Sequence, residues 1–153
     1  MHEDALRIAT RNAIEILTPE ELKEALSSGA KLKGYIGFEP SGMFHIGWII
    51  WARKLQDLMD VGVKMILLEA TWHAWINDKL GGVMERIRAC ARYVEHCLRA
   101  LGVDMDRVEV VDAEELASDK DYWALVLRVA KSVSLARVKR ALTIMGRTEP
   151  EAV

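Results

Sequence analysis

The sequence predicts an α/β domain, and three observations carry that prediction. Residues 63–70 form a largely continuous apolar run of strand length, as expected of a parallel strand covered on both faces. Two further strand-like runs, 33–38 and 108–111, are separated from it by segments of helical periodicity long enough to cross a sheet. The unusual residues then cluster at 38–45 and 71–77, directly after the first two strands. In open α/β sheets that is where ligands sit, beyond the carboxyl ends of the strands.

Each element has its own signal. Residues 3–17 place Leu6, Ile8, Ala9, Ala13, Ile14 and Leu17 at helical spacing and read as a first helix. Thr18-Pro19-Glu20-Glu21 reads as a helix start, with Thr18 as cap, Pro19 in the first turn and Glu21 completing a capping box. The helix is expected over 19–27, stopped by Ser27-Ser28-Gly29. Lys33-Gly34-Tyr35-Ile36-Gly37-Phe38 is the first strand. After a turn over 39–44, a helix is expected from His45 to about Val61, closed by Gly62, and the best strand follows. Residues 78–82 read as a loop, and a long helix over 83–101 ends at Gly102. After the third strand, Asp112 and Glu115 have capping-box spacing. A helix over 121–130, a joint at 131–134 and a basic helix to about Met145 complete the chain.

Composition bounds what such a domain can do. With 153 residues, 51% of them hydrophobic, and only 10 Gly and 3 Pro, one proper core is expected, and disorder, collagen and simple repeats are excluded. The net charge of −2 excludes a generally basic nucleic-acid coat but allows a local basic strip. Such a strip gathers in Arg128, Lys131, Arg137, Lys139, Arg140 and Arg147. Cys90 and Cys97 are seven apart, which on a helix puts their sulfurs about 10 Å apart along the axis, too far for a disulfide. Two core thiols are the simpler reading, with a metal or redox role as the alternative. No apolar run reaches the ~18 residues of a membrane span, and no signal core follows Arg7 and Arg11. The expectation is a soluble cytoplasmic protein with no membrane partner.

The turn after the first strand is the most informative stretch. Gly37 and Gly42 permit tight backbone turning, and Pro40 stiffens the bend. His45 and Gly47 fall in the first turn of a helix, whose N–H groups attract phosphate. A glycine on its exposed side would let a flat base approach the backbone. A tight turn with a capping histidine is the generic alternative. Neither a GxGxxG fingerprint nor a GxxxxGK[ST] loop is present.

Tyr35-Ile36-Gly37-Phe38-Glu39-Pro40-Ser41-Gly42, followed by His45-Ile46-Gly47, resembles the opening of an archaeal or eukaryotic-type tyrosyl-tRNA synthetase, with its class I HIGH signature written here as HIGW. The likeness extends through Arg11-Asn12, Pro19-Glu20-Glu21-Leu22, His73-Ala74-Trp75-Ile76-Asn77, Asp119-Lys120-Asp121-Tyr122 and Leu135-Ala136-Arg137. It spans essentially the whole chain but only the first half of that family's catalytic domain. It implies a Rossmann-like parallel sheet with flanking helices, the HIGH-type nucleotide-binding half. The implied division is a helical segment over 1–30, the nucleotide-binding half-domain over 31–147 and a linker over 148–153.

The resemblance also implies roles. His45 would be the catalytic group, an electrostatic donor in adenylate formation, with Gly42, Gly47, Glu39 and Ser41 around ATP. Tyr35 would meet the substrate phenol and Gly37 would underlie the tyrosine and the adenylate, with Thr71 and His73 beside the same pocket. Arg137, Lys139 and Arg140 would touch tRNA phosphates. ATP is expected as a substrate, with Mg2+ accompanying it and no metal held by the protein itself. L-tyrosine and tRNA(Tyr) are the expected partners, and a homodimer the expected parent.

Two positions depart from the pattern. Trp48 replaces the second signature histidine, and Thr71 replaces an aspartate. Glu69 is expected to compensate for Thr71 only if the strand directs it to the pocket. Packing, base stacking on adenine or an RNA-stacking surface are the alternatives for Trp48, Trp51, Trp72 and Trp75. No KMSKS-like lysine loop and no second set of tyrosine-binding residues occurs in the sequence. The chain is therefore expected to be long enough to fold and too short to catalyse. A tryptophanyl-type relative, and a non-catalytic fragment that binds nucleotide, RNA or a partner, are the other functional readings.

Overall fold

The computed structural model describes residues 2–144, which fall into two compact units divided between Glu114 and Glu115. Residues 148–153 and Arg147 lie outside the described residues. The first unit is built on a parallel sheet of three strands, β1 (Lys33–Phe38), β2 (Lys64–Glu69) and β3 (Glu109–Asp112), in the order β1-β2-β3. β2 is central, which explains why its sequence is the most continuously apolar of the three. The register aligns Tyr35 with Ile66, Gly37 with Leu68 and Phe38 with Glu69, and Glu69 in turn with Asp112.

Side chains alternate across a strand, so this register sorts residues onto two faces. Phe38, Met65 and Leu67 face a core completed by Leu55 and Met59 of α3 (Ile49–Asp60) and by Ala91, Val94 and Leu98 of α5 (Met84–Ala100). The opposite face is open. Lys33, Tyr35, Gly37 and Lys64 are exposed there, and Ile66 and Leu68 are half-buried.

The helix expected over 3–17 is shorter in the structure, where α1 spans His2–Thr10. Asn12 takes a left-handed conformation, φ 61°, and ends it. Lys54 of α3 then donates to the carbonyls of Ala9 and Arg11, satisfying oxygens that further helix would have used. Ile14 and Leu17 consequently stand in solvent. The helix α2 (Pro19–Ser27) has the expected span, but the capping box does not form. Thr18 is itself left-handed, φ 53°, and its side chain makes no cap bond.

The helix expected from His45 begins instead as a 3-10 turn over Ile46–Trp48, and α3 follows. After β2 the chain enters α4 (Thr71–Ile76), then a short 3-10 segment, Lys79–Gly82, with left-handed Leu80 inside it. Val83 caps α5, and the helix ends before Gly102 as expected. α6 (Ala113–Ser118) starts with the Asp112 carboxylate accepting from the Glu114 N–H at 2.7 Å.

The second unit holds α7 (Lys120–Ser132), capped by Asp119, whose carboxylate accepts from the Asp121 N–H. A break at Val133 and Ser134 leads into α8 (Leu135–Ile144). No helix among the described residues is long and apolar enough to cross a membrane.

Candidate functional site

The chain leaves the carboxyl end of β1 at Phe38 and turns through residues 39–44 before the 3-10 turn. Two side chains from distant elements brace that turn. Asn77, just past α4, donates to Glu39 Oε1 at 2.8 Å, and the Cys90 thiol of α5 donates to the Gly42 carbonyl at 3.2 Å. Cys90 is buried, and burial pushes its thiol pKa up, which keeps it in the donating S–H form. Cys97, the second cysteine, is half-buried, and both thiols are free. Ser41 is exposed at the outside of the turn. Nothing local in the sequence marks Asn77 or Cys90 as braces, because their partners are 38 and 48 residues away.

His45 is exposed and caps the 3-10 turn, its Nδ1 accepting from the Gly47 N–H at 3.2 Å. The imidazole lies so close over Gly47 that a Cβ there would stand 3.1 Å from His45 Cε1 and 3.2 Å from Nδ1. The bare backbone at Gly47 is thus filled by the protein's own histidine ring. Trp48 meets that ring edge to face, with centroids 5.7 Å apart. Trp48 in turn packs on Phe38, Phe44 and Trp51 at 5.3–5.9 Å, and with Trp51 it borders the core. Packing is what the structure assigns to this tryptophan pair. Trp72 and Trp75 form a second pair, 5.6 Å apart and partly exposed on α4.

Tyr35 and Gly37 share the open sheet face. Tyr35 is 75% exposed, and a Cβ on Gly37 would meet only ordinary contacts with Leu68, at 3.6 Å and beyond. Packing within the chain therefore does not require glycine at position 37. His73 is exposed on α4.

Thr71 is fully buried, and its hydroxyl donates to Asp112 Oδ1 at 2.6 Å. Glu69 was expected to compensate for Thr71 only if the strand directed it to the pocket, and the strand does not. Glu69 alternates with Met65 and Leu67 and aligns with Phe38, so it points to the helix-covered face, away from Tyr35 and Gly37. There it is buried, and its Oε1 has no hydrogen-bond partner. Burial first, then the nearby Glu95 and Asp112, raise its pKa to about 7. Among the described residues no group of three or more His, Cys, Asp or Glu side chains is placed to hold a metal ion. Arg137, Lys139 and Arg140 are exposed on α8 in the second unit.

A parallel sheet, a histidine-capped turn beyond its first strand and an open face carrying Tyr35 match one known family. The tRNA synthetases of class I (W and Y) match residues 27–152. The chain belongs to that family. Within it, the chain is 62% identical over 150 residues to the tyrosine–tRNA ligase of Aeropyrum pernix and 59% identical to that of Sulfurisphaera tokodaii. Each match covers 98% of this chain and 41% of the ligase, so the chain spans about two-fifths of the length of these curated relatives. The crystal structure of the Aeropyrum pernix tyrosyl-tRNA synthetase superposes with a TM-score of 0.92 at 58% identity, covering 99% of this chain and 45% of that one. The Pyrococcus horikoshii synthetase, solved with L-tyrosine, superposes with a TM-score of 0.87 at 38% identity, covering 100% and 43%. The class I synthetase fold expected from the sequence is the fold observed.

Proposed function

We propose that this chain supplies the ATP turn and the first wall of the amino-acid pocket of a tyrosine–tRNA ligase. In that reading the tyrosine carboxylate attacks the α-phosphate of ATP. The bond from that phosphorus to the pyrophosphate oxygen breaks, giving tyrosyl-adenylate and pyrophosphate. The tyrosyl group then passes to the 3′ end of tRNA(Tyr), releasing AMP. The reaction asks for positioning and charge stabilisation more than for side-chain acid–base work. His45 serves as a hydrogen-bond donor toward the phosphate as negative charge develops, with Gly42, Gly47, Glu39 and Ser41 along the nucleotide. ATP enters with its Mg2+ ion, and no side chain of this chain is assigned to that ion.

The single observation that carries the amino-acid assignment is the placement of Tyr35 and Gly37. Both lie on the open face of β1, and the His45 turn begins directly beyond that strand. A substrate ring laid over Gly37 would reach the Tyr35 hydroxyl, while its carboxylate lies toward the turn. His73 borders the same pocket, whereas Thr71 is buried with its hydroxyl committed to Asp112 and supports the pocket from behind without touching the substrate. The exposed Arg137, Lys139 and Arg140 form a phosphate-binding strip for tRNA, whose contribution would weaken steeply with salt. The parent is read as a cytoplasmic homodimer.

The test is amino-acid-dependent ATP–pyrophosphate exchange by this chain joined to the carboxyl-terminal remainder of the Aeropyrum pernix ligase. Exchange with tyrosine and none with tryptophan is the expected result. Exchange with tryptophan alone would move the chain to the other branch of its family. No exchange with either, in a folded protein, would overturn the ligase reading.

A further inference from the structure

Trp48 stands where the family signature carries a second histidine, and the reaction assigns it no chemistry. Its surroundings give it another task. The His45 imidazole accepts from the Gly47 N–H through Nδ1, so in the neutral ring the proton resides on Nε2. Only that tautomer leaves the ring a donor for an incoming phosphate. The bond that selects it is weak by itself: it is 3.2 Å long, exposed, and spans only two residues. The imidazole's outer torsion is broad and two-fold, so a flip exchanges the ring's nitrogens for its carbons at little cost. Two further contacts restrict the ring. The Gly47 backbone lies beneath it, where a Cβ would crowd the ring at 3.1–3.2 Å, and the Trp48 indole meets it at 5.7 Å and 63°. Trp48 is itself fixed, because Phe38, Phe44 and Trp51 surround it.

We propose that Trp48 is a positioning residue that, together with the bare backbone of Gly47, holds the His45 ring in the Nε2–H tautomer with its donor presented to the ligand. In the synthetase reading, on which this role in catalysis rests, the chain uses one histidine donor locked by an indole where the family pattern has two histidines. The tautomer and ring orientation are properties of the chain itself, without ATP.

The experiment is nitrogen-15 spectroscopy of the neutral His45 ring. The sequence has only four histidines, which keeps the assignment simple. The intact chain is expected to show Nδ1 as acceptor and Nε2 as donor. Trp48→Leu is expected to lower the ratio of Nε2–H to Nδ1–H forms roughly three- to tenfold, the Boltzmann equivalent of losing one edge-to-face contact. Trp48→Phe, which keeps an aromatic face, is expected to retain most of the preference. Trp51→Leu provides the control for mere packing: it removes one neighbour of Trp48 while leaving the indole against His45, and should lower Tm while moving the ring signals much less than Trp48→Leu. Because Trp48→Leu can fail to fold, Gly47→Ala supplies an independent test at an exposed position. Its Cβ should displace the ring and weaken the Nδ1 acceptor signal. Unchanged His45 signals in folded Trp48→Leu or in Gly47→Ala, or an equal change in Trp51→Leu, would overturn the proposal. Missing pyrophosphate exchange would overturn the ligase reading and leave this readout intact.

Discussion

At the scale of single residues, the open sheet face and the His45 turn separate groups that the fold uses from groups that it does not. Gly37 has room for a methyl group, since a Cβ there reaches Leu68 only at ordinary van der Waals distance. Gly37→Ala is therefore expected to leave stability within about 1 kcal/mol of the parent while raising the KM for tyrosine several-fold, checked by a thermal melt and by exchange kinetics. Tyr35 is exposed and belongs to no buried network. Tyr35→Phe should leave Tm unchanged and raise the KM for tyrosine about tenfold, the equivalent of one unsatisfied hydrogen bond. An equal loss with phenylalanine as substrate would show that the phenol is recognised elsewhere. Thr71 behaves in the opposite way. It is fully buried and donates to Asp112, so Thr71→Val would leave the Asp112 carboxylate short of a donor and destabilise the fold before any kinetic effect could be read.

At the scale of elements, two buried carboxyl groups, Asp57 and Glu69, carry opposite pH signatures. Asp57 on α3 is buried, ion-paired with Arg11 and approached by Lys54, which also binds the end of α1. The hydrogen bond from Arg11 holds the Asp57 carboxyl below its ordinary pKa. A folded-state pKa that is depressed contributes stability above the unfolded value and loses it as pH falls, so this clamp weakens in acid below about pH 4. Asp57→Ala should cost about 2 kcal/mol at neutral pH, the worth of a hydrogen bond to a charged group, and flatten the acid limb of a urea-melt series.

Glu69 has the reverse sign. Its pKa is raised to about 7, so its neutral form stabilises the fold below the ordinary carboxylate range, and that stability is lost as pH rises through 7. Glu69→Gln should raise Tm by roughly 5 °C at alkaline pH and change it little in mild acid. Equal effects at both ends would show that Glu69 and Glu95 do not share a buried, proton-dependent contact.

The elements also show what a sequence can and cannot disclose. The strands were legible as strand-length apolar runs such as 63–70, although the expected cover on both faces is not found: Met65 and Leu67 are buried, while Ile66 and Leu68 on the other face are half-buried. The end of α1 was not legible. It depends on Asn12 going left-handed and on Lys54, 43 residues away, taking the Arg11 carbonyl. Thr18-Pro19-Glu20-Glu21 has every residue of a capping box, yet the left-handed backbone at Thr18 removes the geometry the box needs.

For the whole molecule, the central β2 strand divides the site from the core. Alternation along β1 and β2 puts Tyr35 and Gly37 on the open face, and Phe38 and Glu69 on the helix-covered one. That parity was implicit in the sequence once the strands were named, but Glu69 could be assigned a face only after the register was known. The braces from Asn77 and Cys90 to the turn over 39–44 arise from folding alone, because α4 and α5 must first come to the carboxyl end of the sheet. The turn is consequently tied at two points, Glu39 and Gly42, while His45 stands exposed and in contact with Trp48.

The central claim is that this braced turn presents His45 as the donor for adenylate formation. Its most direct measurement is the rate of tyrosine-dependent ATP–pyrophosphate exchange for this chain joined to the remainder of the Aeropyrum pernix ligase, with and without His45→Ala. The exposed position of His45 predicts that the variant folds with a nearly unchanged Tm. Loss of one preorganised donor predicts an exchange rate lower by about 10²- to 10³-fold. An unchanged rate in the folded variant would contradict the account.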